Sequence, residues 1–258
     1  LRHRRPRGAL SAMTPASTRE AADELRSIAR SAGDAAGYFP ALYARVTTEI
    51  AASIEAGRFD DGARMDAFAT TFAAYYLRTW RNEIPRPRCW QASWDVAAGG
   101  GLLVVQHLLL GINAHVNHDL PQAVVEVADR TGDLEGVHGD FDAVNDVLAA
   151  ASVGILRDLD RVSRWANEVA ALGGGRAFHF SLRVARRQAW NAAERLFALD
   201  APRRRDDVRE LDRLVSVLAY LITRPAFPAS VLVSVARRLE EHDPSVVVAA
   251  LLGDDSDR

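Results

Sequence analysis

Apolar residues recur along most of this chain at intervals of three and four, the period of a helix with one buried face. No stretch alternates strictly for long enough to make a sheet. A first helix is predicted to start near Ser17-Thr18, with Glu20 and Glu24 in its early turns, and to end before Gly33. A second runs from about Pro40 through Ile54 to Gly57, with Leu42, Val46, Ile50 and Ile54 at i, i+4 spacing. A third follows Asp60-Asp61 and carries Met65, Phe68, Phe72, Tyr75, Tyr76 and Trp80 before Pro85 and Pro87 stop it. Trp90 and Trp94 open a central segment expected to reach about His118, and Pro121 suits the first turn of a helix ending near Arg130. Thr131 to Gly139 reads as a loop, after which Asp140 or Asp142 is placed to cap a helix through Val147 and Ile155 to Val162. Further helices are expected over about 178–199, 206–222, 229–241 and 244–252, with Gly173-Gly174-Gly175 as a loop inside one domain. The pattern predicts an all-α fold, an irregular multi-helix bundle forming a single domain over 15–252, with a basic tail at 1–14 and an acidic tail at 253–258.

Composition narrows the chemistry more than the fold. Among 258 residues, 48% are apolar and 26% charged, as in ordinary globular proteins. The net charge of −2 gives no long-range attraction for nucleic acid or an anionic membrane. A single cysteine, Cys89, is read as excluding disulfide frameworks, cysteine-based zinc sites, iron–sulfur clusters and CxxC redox chemistry. No lysine occurs, so all 32 basic residues are arginine, and Schiff-base, Walker-type and kinase-type chemistry fall away together. The arginine-rich first residues have no apolar stretch behind them, unlike a secretory signal, and Met13 reads as the true start. The one candidate for a membrane span, Val96 to Ile112, carries four glycines, Gln106 and His107 and reads better as a buried core helix. These features point to a cytoplasmic protein with no membrane or nucleic-acid partner, for which a small molecule is the expected one.

The unusual chemistry is concentrated between Gln106 and Pro121, where His107, His115 and His118 fall together with Asn113, Asn117 and Asp119. Residues four apart on a helix lie about 40° apart on the wheel, so His115 with Asp119, and Asn113 with Asn117, share a face. A carboxylate one turn from an imidazole either joins it on a metal ion or fixes its tautomer. His107 lies about 12 Å along the axis from His115, too far to share an ion, and reads as a pocket or core residue. Two Asn, two His and one Asp in seven residues cost helix propensity, which a site explains better than packing does. A second cluster, His138 through Asp146, would complete a metal set if His138, Asp140 or Asp142 met His115 and Asp119. The metal candidates are thus His115, Asp119, His118 and Asp140, for zinc, iron or manganese. Further on, Arg186, Trp190 and Glu194 are successive i, i+4 neighbours, spaced for ion pairing across a tryptophan.

The run Gly111-Ile112-Asn113-Ala114-His115-Val116-Asn117-His118-Asp119-Leu120-Pro121 resembles the signature of an uncharacterised bacterial domain-of-unknown-function family, G-[MI]-N-A-H-[IV]-N-x-D-L-P. The resemblance extends to Phe59-Asp60, Met65-Asp66, Phe68, Phe72, Tyr75, Asp140 through Asn145, and Arg186 with Ala189-Trp190. It implies that Asn113, His115, Asn117 and Asp119 form the polar core, with His118 on the variable position. Asn113, Asn117, His107, Asn145 and Trp190 are the candidate ligand-binding residues. A weaker likeness is to HD-domain phosphohydrolases through the adjacent His118-Asp119, but Leu-Pro follows the pair and no lysine is present to hold phosphate. The leading expectation is a metal-assisted hydrolase of a small molecule, with His115 and Asp119 catalytic. A second is a non-catalytic ligand-binding bundle whose Phe72, Tyr76, Trp80, Trp90 and Trp94 line an apolar pocket. A third is a purely structural polar network.

Overall fold

The computed structural model describes residues 14–99, 101–163, 175–225, 233 and 235–254, and all its regular elements are helical. They are α1 (Thr18–Ser31), α2 (Tyr38–Glu55), α3 (Gly62–Trp80), α4 (Arg88–Asp95), α5 (Val104–Ala114), α6 (Leu120–Thr131), α7 (Glu135–Val162), α8 (Gly175–Phe197), α9 (Ala201–Thr223) and α10 (Pro244–Leu252). The local signals in the sequence start several of them. The Ser17 side chain accepts from the Glu20 N–H, Asp61 accepts from the Arg64 N–H, and Pro121 occupies the first turn of α6. Gly132, at φ 71°, takes the left-handed conformation that ends α6.

Three expectations change. The central segment is two helices, α4 and α5, because α4 ends at Asp95, a 3₁₀ turn follows over Ala97–Gly99, and α5 starts only at Val104 behind Leu103, whose N–H is taken by Gln106 Oε1. The loop after Thr131 is shorter than expected, since α7 already begins at Glu135, with Asp133 accepting from the Gly136 N–H. Neither Asp140 nor Asp142 is a cap. Asp140 is buried and accepts from the Asp60 N–H at 2.8 Å and from Arg64 at 2.7 Å, pinning α7 to the entrance of α3. In the same way α9 starts at Ala201 under an Asp200 cap, ahead of the expected Asp206. The expected tail at 1–13, the Gly173-Gly174 loop, the helix start at 229–232 and the tail at 255–258 lie outside the described residues.

The core has two parts. One gathers Phe39, Tyr76, Leu77, Trp90 and Leu108 from α2–α5. The other gathers Phe68, Leu120, Val124, Phe141, Trp190 and Leu196 from α3 and α6–α8. Each such side chain contributes about 1.5–3 kcal/mol on burial. Because α5 belongs to the first part and α6 to the second, the polar run between them sits at the seam. Among the described residues, no helix is long and apolar enough to cross a membrane.

Candidate functional site

The rod of α5 and α6 is continuous, joined by a π-helical turn over His115–Asp119 in which the Leu120 N–H reaches back to the His115 carbonyl. The wide turn accommodates Pro121, whose ring would crowd the carbonyl of a regular α-turn and which has no N–H to give. It also brings His115, His118 and Asp119 together inside the protein, each no more than 5% exposed.

Asp119 is the centre of the group. Its Oδ2 accepts from Trp90 Nε1 at 2.9 Å and lies 3.1 Å from His115 Nδ1, while its Oδ1 lies 2.7 Å from His118 Nδ1. Burial alone would raise the Asp119 carboxyl, but the hydrogen bonds and charge of the two imidazoles outweigh it and hold the group below the usual range. Burial likewise opposes charge on His118, yet Asp119, with Asp212 beyond it, keeps that imidazole above its ordinary value. For His115 burial prevails over the same carboxylate and pushes the ring down. The carboxylate therefore carries the negative charge, a proton on His118 is favoured and one added to His115 is disfavoured. With Nδ1–H of His115 donated to Asp119, Nε2 carries a lone pair.

That nitrogen is buried and has no hydrogen-bond partner. Phe72 stacks on the ring at 3.7 Å between centroids and 7° between planes, while Tyr43, Phe39, Trp90 and Tyr76 pack around it. His115 also lines a cavity of about 280 Å³ whose walls are the apolar faces of α2, α3, α5 and α7, among them Phe39, Leu108, Ile112, Leu148 and Ile155. Of the aromatic residues expected to line a pocket, Phe72 does, whereas Trp90 serves as a donor to Asp119 and stacks with Trp94. Phe39 and Tyr43 are cavity residues that the helical pattern of α2 presents but that sequence reasoning passed over.

The other candidates separate. Asn113 donates to the Val215 carbonyl of α9 at 2.9 Å and accepts from Asn117 at 2.9 Å, so this pair ties α5 to α9. Asn145 accepts from Arg186 at 2.9 Å, and Trp190 donates to Glu194 at 3.0 Å and packs on the His138 ring. Arg186 does not complete an ion pair across Trp190. It turns to Asn145, to the Phe141 carbonyl and to the Phe141 ring. His107 lies apart from this group, edge-on to Tyr38 beside Arg237 in a separate cavity of about 570 Å³.

Burial, with Arg237 nearby, pushes His107 down to about 4. The unfolded chain takes up this proton near pH 6.5 and the folded protein only near 4, so stability falls as pH drops through that window. Chemical denaturation at pH 7 and pH 4.5 is expected to show a loss on the order of 2–3 kcal/mol from this residue. His107→Phe should shrink the loss by that amount, and an unchanged pH dependence would contradict it.

A metal held between His115 and Asp119 does not fit. Both Asp119 oxygens are engaged, His115 Nε2 is buried with no polar partner, and Asp140 is turned away to Arg64. Among the described residues, the group whose ligating atoms lie within 4.8 Å of one another is Cys89, His118 and Asp212.

A model of a family of unknown function, DUF5995, matches residues 18–225. The chain belongs to the DUF5995 family. The expected membership of an uncharacterised domain-of-unknown-function family therefore holds, and the matched residues include the Gly111–Pro121 run. No curated protein and no solved structure matches the chain.

Proposed function

We propose that this DUF5995 member binds a small, largely apolar molecule in the cavity lined by α2, α3, α5 and α7, with a hydroxyl or N–H of that molecule donated to His115 Nε2. The observation that carries this reading is the nitrogen itself. A buried acceptor without a partner costs about 1–3 kcal/mol, and here it belongs to a residue that lines an apolar space close to the size of small ligand sites. Asp119 fixes the tautomer that makes Nε2 an acceptor, and the same pairing would make it a general base for a ligand with an acidic proton. Calorimetry with 2-naphthol and naphthalene tests it. The wild type is expected to prefer 2-naphthol by about fivefold or more, one hydrogen bond's worth. His115→Phe, which keeps an aromatic ring against Phe72, should erase that preference while still binding naphthalene. Equal affinities in the wild type, or a preference that survives His115→Phe, would refute the reading.

A second reading, a divalent metal on Cys89, His118 and Asp212, is favoured by their mutual approach and by the bond from His118 Nδ1 to Asp119. Metal-binding histidines commonly give their other nitrogen to a carboxylate in this way. The thiol, imidazole and carboxylate set suits zinc, entering with displacement of the protons on Cys89 and His118. Asp212 already accepts from the Arg88 and Cys89 N–H groups, each at 3.0 Å, leaving one lone pair on each oxygen. Titration with cobalt(II) should give a thiolate-to-cobalt charge-transfer band that Cys89→Ser abolishes. No band in the wild type would dismiss this site.

A further inference from the structure

Among the described residues, one buried arginine stands without a carboxylate partner. Arg45 meets the buried Asp158 at 2.7 Å, Arg64 meets the buried Asp140 at 2.7 Å, and Arg81 meets Glu24. Arg186 is buried more deeply than any of these three arginines, at 5% exposed, and meets no carboxylate. Its Nε donates to Asn145 Oδ1, its Nη2 to the Phe141 carbonyl, and its guanidinium carbon lies 4.2 Å from the Phe141 ring centroid. All three partners are neutral. A guanidinium carries five N–H donors, and these contacts use two. The nearest acidic influence, Asp142, acts only through its charge from an exposed position.

A buried cation without a contacting carboxylate is costly, and a carboxylate brought in from outside would offset that cost. Arg186 lines the same cavity as His115, at the end where α7 contributes Val144 and Leu148. It also borders an open groove of about 1030 Å³ between α7 and α8, where Arg183 and Arg187 stand beside Asp142, Asp146 and Glu194. Those exposed groups, two arginines against three carboxylates, leave a small negative surplus at the groove, but none of them is in ion-pair contact with Arg186.

Resting on the ligand-binding reading above, we infer that the ligand is an amphipathic carboxylate, its apolar body in the cavity and its carboxylate on the Arg186 guanidinium. Arginine suits this role because its planar fork meets both oxygens of a carboxylate at once. Asn145 and the Phe141 carbonyl hold the remaining edge of the fork in place, which makes Asn145 a positioning residue. A space of about 280 Å³ equals the liquid volume of about nine waters, room for a bicyclic aryl or medium-chain alkyl acid.

The test compares 2-naphthoate with the neutral, similarly shaped 2-naphthamide at pH 7, in the wild type, Arg186→Gln and Arg186→Lys. In the wild type 2-naphthoate is expected to bind about tenfold tighter or more, the worth of a charge-assisted hydrogen bond. Arg186→Gln should abolish the preference and Arg186→Lys should retain part of it. No preference in the wild type overturns the inference, as does a preference that persists in Arg186→Gln. Should Arg186→Gln fail to fold, the wild-type comparison and Arg186→Lys decide: undiminished preference with lysine counts against a bidentate seat. Failure of this inference is distinguishable from failure of the reading beneath it. If 2-naphthol shows its His115-dependent preference while 2-naphthoate shows none, the anion is wrong and the cavity stands. If none of these probes binds, both fall.

Discussion

Asp119→Ala is expected to lower the unfolding free energy by about 3–5 kcal/mol, the cost of breaking a buried charged pair from one side. The carboxylate is 1% exposed and receives Trp90 Nε1, His115 and His118, drawn from α4 and both ends of the π-turn. Its loss leaves an indole N–H and two imidazole nitrogens in an apolar seam with nothing to bond. Asp119→Asn, which keeps the shape and one acceptor, should recover part of the loss. Urea denaturation of the three proteins measures both effects, and a loss below about 1 kcal/mol in Asp119→Ala would mean that the three donors find other partners. His118 should respond as well: without the carboxylate its pKa should fall, because burial is then opposed only by the smaller pull of Asp212.

Gly111→Ala sets two effects of opposite sign against each other. Helix propensity favours alanine by about 1 kcal/mol in the interior of a helix such as α5. Packing opposes it: a Cβ at Gly111 would lie 2.3 Å from two atoms of the Phe39 ring and 2.6 Å from the Phe39 Cβ. Those are the inner atoms of the side chain, so no rotation at its tip relieves the overlap, and α2 must move away from α5. Overpacking of this kind costs about 1–3 kcal/mol and sometimes more. A net destabilisation of about 1–2 kcal/mol is expected from thermal or urea unfolding. Phe39→Leu in the Gly111→Ala background should restore part of it, whereas a stabilised Gly111→Ala would show that the helices are not in such close contact. Phe39 also packs on His115 and Trp90, so the glycine of the Gly111–Pro121 run helps set the geometry of the site.

Much of the helical framework was legible because its signals are local. Ser17, Asp61, Pro121 and the apolar spacing of α2 and α3 act within a few residues of themselves. The i, i+4 pairing of His115 with Asp119 and of Asn113 with Asn117 was legible for the same reason. The sequence did not reveal partners that only packing supplies. Trp90 is 29 residues from Asp119, and Asp140 is 80 from the Asp60 N–H it accepts. Asp140 and Asp142 looked like caps because an acidic residue at a helix start is ambiguous until its neighbours in space are known. The π-turn was also hidden, since His115, His118 and Asp119 fit regular α spacing equally well. Arg186 was read as one member of an i, i+4 series, and its lack of a carboxylate became visible only once α7 lay against α8.

A network that merely holds helices together and the binding site proposed above both make Asp119 important for stability. They differ at His115, a cavity-lining residue whose Nε2 a structural network has no reason to leave buried without a partner. The most direct measurement is therefore a crystal structure of the protein soaked with 2-naphthol. The expected result is the bicyclic ring in the cavity against Phe72 and Ile112, with its oxygen about 2.7–3.0 Å from His115 Nε2. A cavity that stays empty, or a naphthol whose oxygen points away from that nitrogen, would contradict the account.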